Sequence, residues 1–442
     1  MAQQCDAREW CSLRVLVAAW LLLLPITLCY SQNAGQNSGV DALSPKELLS
    51  QLSASFDTLQ LRCIRPAEGF LKYDYLIPSG FYKQMWDWDG FFIGCHLASR
   101  NKEDAKYLKW WVLNFVTHVD STGYVPGCMT TKGPRPIFGK FALKPFLSQG
   151  AYFAAVALQD FSWIDSVYDG LKEVLAYRDS TQFDPKYGLY YWDLAVQSGA
   201  DNNPVLTNDP NERSSIIGVD LCAFQLREFL AMSRIADTLG RKRDAGYYRD
   251  RAVRLKQAMM EHLWFEDDTS FFNIHRVDGR PIKRVSYSNF IPLFQHMLPT
   301  DMGRAMITKY LLNTDQMLAP YGIRSLSKQD PDYNNVCEII PYSNWQGPIW
   351  INANFMFSVA LERYGFRQAV DNLAVVIGRM LLRDIRTCGS MHENYDADTG
   401  APLAPTAEQS QGGIFTGFVG WNMLAQNMLE GVVEGKWLLL EL

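Results

Sequence analysis

Residues 197–204 read QSGADNNP, one carboxylate, Asp201, among Gly, Asn and Pro. That composition excludes the interior of a helix or strand and predicts a loop, where an acid serves either a turn or chemistry. Three more segments interrupt helical periodicity and mix polar with aromatic residues. GFYKQMWDWDG, 80–90, carries Tyr82, Trp86, Asp87, Trp88 and Asp89; PYSNWQGPIW, 341–350, carries Asn344, Trp345, Gln346 and Trp350; SMHENYDADTG, 390–400, carries Glu393 and Asp396. Tyr190, Tyr191 and Trp192 precede the acid loop, and Glu212-Arg213 follow it. A ring face beside a bidentate carboxylate suits a pyranose with adjacent hydroxyls. Two carboxyls on separate loops suit glycoside hydrolysis, one protonating the leaving oxygen while the other activates water. The plainer readings are a helix N-cap for one Asp of 80–90 and a Pro-kinked helix entry, with core Trp, for 341–350. No serine nucleophile elbow, HExxH, P-loop or Gly-rich dinucleotide turn competes.

Helices must position these loops. Apolar residues recur at three and four spacing from Leu43 onward, and Ser44-Pro45-Lys46-Glu47 is a capped helix start. The pattern predicts further helices over 89–99, 103–118, 148–159, 162–178, 216–239, 242–264, 287–296, 300–312, 345–363, 366–386 and 416–430. Only 269–285 reads as a hairpin, with Asp278-Gly279 as its turn. About a dozen helices with no alternating strands predict an all-α fold in which paired helices form a toroid. The absence of a fixed-period repeat counts against a superhelix.

The chain has 442 residues, 48% hydrophobic and 13% aromatic, with a formal charge of −5. That allows a large core and disfavours a nucleic-acid groove. Arg8 and Arg14 precede the apolar run Val15–Leu28, too short for an easy membrane span and interrupted by Pro25. Residues 1–31 are therefore expected to be a signal peptide or other N-terminal targeting segment, 32–42 a flexible leader and 43–442 a single catalytic domain. A cleaved signal implies the secretory pathway or the exterior; without cleavage the protein would be cytoplasmic. Six of the nine Cys lie beyond that segment and show no CxxC or tight metal spacing, so no metal is expected.

Together the four segments resemble glycoside hydrolase family 63, in particular its short members acting on mannosylglycerate and glucosylglycerate. MWDWDG, SG-x-DN, NWQGPIW, HENYD-x-x-TG and a late FxGW occur in the family's order. The resemblance implies an (α/α)6 toroid, an inverting mechanism and no cofactor. It makes Asp201 the general acid and Glu393 the general base. It places Tyr82, Trp86 and Asp89 on the sugar-gripping loop, Trp345, Gln346 and Trp350 on the opposite wall, and Gln149 in the polar lining. Glu212 and Arg213 then resemble an acid-base pair near the glycerate end, with Arg213 the first choice to meet a carboxylate-bearing aglycone. Relatives commonly carry Trp-Glu where Val196-Gln197 stand here. Glu408 in TAEQSQGG is a rival base, and His392 a structural donor. A trehalase-like hydrolase, a catalytically silent sugar-binding protein and an epimerase or lyase are the rival functions; the last needs His or Tyr bases, and His392 alone of six His lies in a candidate loop.

Overall fold

The computed structural model describes residues 39–442 apart from 81, 135–140, 340–342, 405–409 and 412–413. The targeting segment and Glu408 lie outside the described residues. Twelve of the described helices alternate between an amphipathic outer and a largely buried inner position. They are α1 (Pro45–Leu59), α2 (Asp87–Arg100), α3 (Ala105–Val116), α4 (Leu147–Leu158), α5 (Tyr168–Gln182) and α6 (Val219–Thr238). There follow α7 (Lys242–His262), α8 (Ile291–Phe294), α9 (Thr300–Met306), α10 (Ile351–Arg363), α11 (Arg367–Cys388) and α12 (Leu424–Glu434).

The even-numbered helices form a closed inner ring: α2 packs on α4, α4 on α6, α6 on α8, α8 on α10, α10 on α12, and α12 on α2. Outer helices such as α7 bury one stripe only, Ala245, Tyr248, Ala252, Leu255 and Met259, whereas α10 is buried continuously from Ile351 to Leu361. A helix hemmed in on all sides must be apolar or fully hydrogen-bonded all round, which is why α10 reads without a polar face. This is the (α/α)6 toroid. Its fourth pair is abbreviated: α8 is a single turn after a 3-10 turn at Tyr287–Phe290, and α9 runs into a π turn at Ile307–Leu311.

Several helices begin later than periodicity predicts. The expected 345–363 starts at Ile351, 216–239 at Val219, and 416–430 is a 3-10 turn at Gly420–Met423 before α12 at Leu424. The expected 162–178 divides into a turn at Ser162–Asp165 and α5. In these late starts the periodic-looking residues are taken up otherwise, 216–217 as a strand, 345–350 as irregular chain and 420–423 as a 3-10 turn. Strands are also more extensive than the one expected hairpin. β1 (Met85–Trp86), β2 (Cys128–Thr130) and β3 (Gly133–Pro134) make one antiparallel sheet. β4 (Phe183–Asp184), β5 (Leu189–Trp192), β6 (Ile216–Ile217) and β7 (Ile274–His275) make a second, in the order β7-β6-β5-β4. The expected hairpin exists, with Gly279 at φ +74° in its turn, but its first strand also serves as the edge of this sheet. No described helix is long and apolar enough to cross a membrane.

Candidate active site

The four loops converge over the inner ring. A pocket of about 280 Å³ there is lined by Tyr82, Trp86, Asp87, Trp88, Asp89, Cys128, Phe141, Lys144, Val196, Gln197, Asp201, Trp350, Glu393 and Trp421, among others. The volume suits one sugar ring and a small aglycone.

The acid loop leaves a helical turn at Ala195–Ser198 through Gly199, at φ +85°. A Cβ on Gly199 would lie 2.6 Å from the Trp88 ring and 2.9 Å from Lys144 Cε, so both backbone angle and space demand glycine. Asp201 then occupies a tight turn closed by Asn203 N–H donating to Ala200 O at 2.9 Å. Its own carbonyl accepts from Asn208 Nδ2 at 2.6 Å. Asn202 fastens this loop to the third segment: its Nδ2 donates to Asn344 Oδ1 at 3.0 Å and its Oδ1 accepts from Trp345 N–H at 2.7 Å. The turn residues are thus cross-loop clamps. Burial pushes the Asp201 carboxyl up to about 6, against the pull of the nearby Ser343 hydroxyl and the Lys144 charge.

Glu393 follows α11 on a loop anchored by buried Asp384. Asp384 Oδ2 accepts from His392 N–H at 2.9 Å and Tyr395 Oη at 2.6 Å, and lies 2.8 Å from His392 Nδ1. The His392 carbonyl accepts from Asn422 Nδ2 at 2.7 Å, so His392 holds the loop as a structural donor. Tyr82 Oη donates to both Glu393 oxygens at 2.9 Å. Burial raises the Glu393 carboxyl well above the usual range, opposed by the Tyr82 hydrogen bond and reinforced by Asp89 and Asp201. Burial, with Asp87 and Asp201 nearby, pushes Asp89 up to about 8 although Lys144 opposes it.

Among the other expected wall residues, Trp86 caps α2 and Asp89 lies in its first turn, and Trp86 pairs in register with Cys128. The N-cap reading of this loop does not hold: the cap is Trp86, without a side-chain hydrogen bond, and Asp87 instead accepts from Trp88 N–H at 2.7 Å. Trp350 lines the pocket. Trp345 does not; it is fully buried and stacks on Trp350 from behind, with ring centres 4.3 Å apart and 10° between planes. Gln346 braces the acid loop by donating to Asn202 O at 3.1 Å. Gln149 is also corrected: fully buried beneath the pocket, it donates to Pro145 O at 2.6 Å and accepts from Arg227 Nε at 2.7 Å. Glu212 and Arg213 are exposed, and the ion pair of Arg213 runs to Asp193 at 3.5 Å rather than to Glu212. Its guanidinium lies 5.8 Å from the ring of Phe141, which places Arg213 near the rim.

Chain residues 82–412 match the family described as the mannosylglycerate hydrolase MGH1-like glycoside hydrolase domain. The chain belongs to that family. Its described residues thus carry a mannosylglycerate hydrolase MGH1-like glycoside hydrolase domain. The chain is 24% identical over 169 residues to a mannosylglycerate hydrolase of Rubrobacter radiotolerans, covering 38% of the chain and 36% of the relative. It is 24% identical over 253 residues to a Schizosaccharomyces pombe protein named Probable mannosyl-oligosaccharide glucosidase, covering 53% and 28% respectively. The chain thus spans about a third of the length of these curated relatives. The crystal structure of the family 63 mannosylglycerate hydrolase from Thermus thermophilus in complex with glucose superposes with a TM-score of 0.63 at 19% identity. That match covers 85% of this chain and 98% of the other.

Sequence reasoning missed Lys144 and Trp421 as pocket residues. Trp421 stood in the FxGW motif, so a signal existed. Lys144 stands in FALKPF, an apolar stretch without motif, and nothing in the sequence marked it. Among the described residues, no group of His, Cys, Asp or Glu is arranged to hold a metal.

Proposed function

We propose that this glycoside hydrolase cleaves mannosylglycerate, glucosylglycerate or both to free sugar and glycerate, with inversion at the anomeric carbon. The supporting observation is that Asp201 and Glu393, from loops 192 residues apart, line one small pocket with Tyr82, Trp86, Asp89 and Trp350. Asp201 protonates the glycosidic oxygen as the bond to the aglycone breaks. Glu393 takes a proton from the water that attacks the opposite face of the sugar. Inversion requires a separation of about 6.5–9.5 Å between the two carboxyls, to leave room for that water. Burial suits Asp201 to hold its proton, and the Tyr82 hydroxyl helps Glu393 carry the charge a base needs. Asp89 and the Trp86 and Trp350 rings hold the sugar, and Arg213 at the rim receives the glycerate carboxylate.

A panel of mannosylglycerate, glucosylglycerate and trehalose, with proton NMR of the first-formed anomer, tests the reading. The expected result is inverted sugar from one or both glycerates. Retained configuration overturns the single displacement. Release from trehalose alone overturns the glycerate assignment, and tight binding without release makes the protein a silent binder.

A further inference from the structure

Four carboxyls, Asp87, Asp89, Asp201 and Glu393, line the pocket, and among its described lining residues Lys144 is the one cation. Its Nζ lies 2.9 Å from Asp87 Oδ1 and 5.1 Å from the centre of the Trp88 ring, with the residue 7% exposed. Its backbone N–H also donates to Asp87 Oδ2 at 2.7 Å. The chain on both sides is pinned from beneath: buried Arg178 donates to Leu143 O, and buried Gln149 to Pro145 O. The lysine cannot swing away without breaking these contacts. Its Cε packs where Gly199 lacks a side chain, two residues before Asp201. The lysine stem therefore packs against the glycine of the acid loop while its ammonium pairs with Asp87.

We propose that Lys144, anchored by Asp87, is a positioning residue that seats the acid loop and governs which pocket carboxyl holds the proton, Asp201 above all. This rests on Asp201 being the general acid. The groups facing Asp201 are Lys144 and Ser343, with Glu393, Tyr82, Asp89 and Tyr287 acting through their charge or hydroxyl. Those facing Lys144 are Asp87, Asp89, Asp201 and Cys128. A cation beside competing carboxyls favours their ionised forms, so its removal lets them keep protons to higher pH. Removing the charge of Asp87 instead leaves the lysine free to act on Asp201.

The test follows the titration of Asp201 in the free protein by the carboxyl infrared band that Asp201→Asn abolishes, alongside the pH profile of sugar release from mannosylglycerate and glucosylglycerate. Lys144→Met is expected to move the Asp201 titration up by about one pH unit, Asp87→Asn to move it down, and Lys144→Arg to keep it in place. The alkaline limb of kcat/KM should follow, with kcat falling further than KM changes. A titration unmoved in both Lys144→Met and Asp87→Asn, or moved in the same direction by both, overturns the proposal. Should one variant fail to fold, the direction of the other decides. Shifts in the band without sugar release from the unmodified protein would sink the assigned reaction while sustaining the role of Lys144.

Discussion

Asp201 and Glu393 sit in the same pocket with unlike support. Asp201 occupies a clamped turn near a lysine, whereas Glu393 accepts the Tyr82 hydroxyl and has only acids as charged neighbours. Burial raises both carboxyls, so the division of acid from base work rests on their positions in the pocket and not on their resting protonation. An acid is active while protonated, so kcat/KM should fall as pH rises through about 6, where Asp201 loses its proton. Asp201→Asn and Glu393→Gln should each lower kcat by roughly 10²–10⁴ and change KM little. Steady-state kinetics on the glycerates measures both. The two carboxyls proposed as the catalytic pair were readable at this scale because their motifs are local. Lys144 was not, since its meaning lies in Asp87, 57 positions away, which its ammonium meets at 2.9 Å.

At the scale of elements, the NNP of the acid loop proves to be joinery. Asn202 bonds to the side chain of Asn344 and the backbone of Trp345, so the second and third loops move as one body. Asn202→Ala leaves the Trp345 N–H without that acceptor. The expected cost is about 1–3 kcal/mol of stability and a drop in kcat of order tenfold, as Asp201 loses its fixed seat. Thermal melts and kinetics would show it; full activity in the variant would mean that the turn at 200–203 positions the acid unaided. The same logic explains why Trp345, Gln346 and Gln149 looked like sugar contacts. Their polarity and aromaticity were real signals of the site, but each works one layer behind it, stacking on Trp350, holding Asn202 or supporting Pro145.

For the whole molecule, the convergence of loops on one ring face concentrates buried acids. Asp89, raised to about 8, and Asp201, raised to about 6, join Glu393, Asp220 and Glu228, all displaced upward by burial. A carboxyl with a raised folded-state pKa binds its proton more tightly folded than unfolded. Its contribution to stability is full below the unfolded value near 4 and lost as pH rises through the folded one. Buried His96, lowered to about 4, acts oppositely below its usual value of 6.5. The melting temperature should therefore fall between about pH 6.5 and about pH 8.5. Asp89→Asn, which removes the carboxyl raised to about 8, should flatten that slope and melt roughly 1–4 °C higher at the alkaline end. A melting temperature that climbs over this range would contradict the assignment.

The amino-acid sequence by itself determined the helical ring, the loops that interrupt it, and the two carboxyls proposed as acid and base. Helical periodicity and short motifs are local, and each depends on residues within a few turns of one another. Only the tertiary structure decided which side chains reach the sugar pocket and which stand behind it. Reach depends on where an inner helix begins and on which partner satisfies each buried polar group. So α10 starts at Ile351, leaving Trp350 at the wall and Trp345 sealed beneath it. Lys144 gained its place for the same reason: a buried ammonium must find a carboxylate, and the fold supplies Asp87.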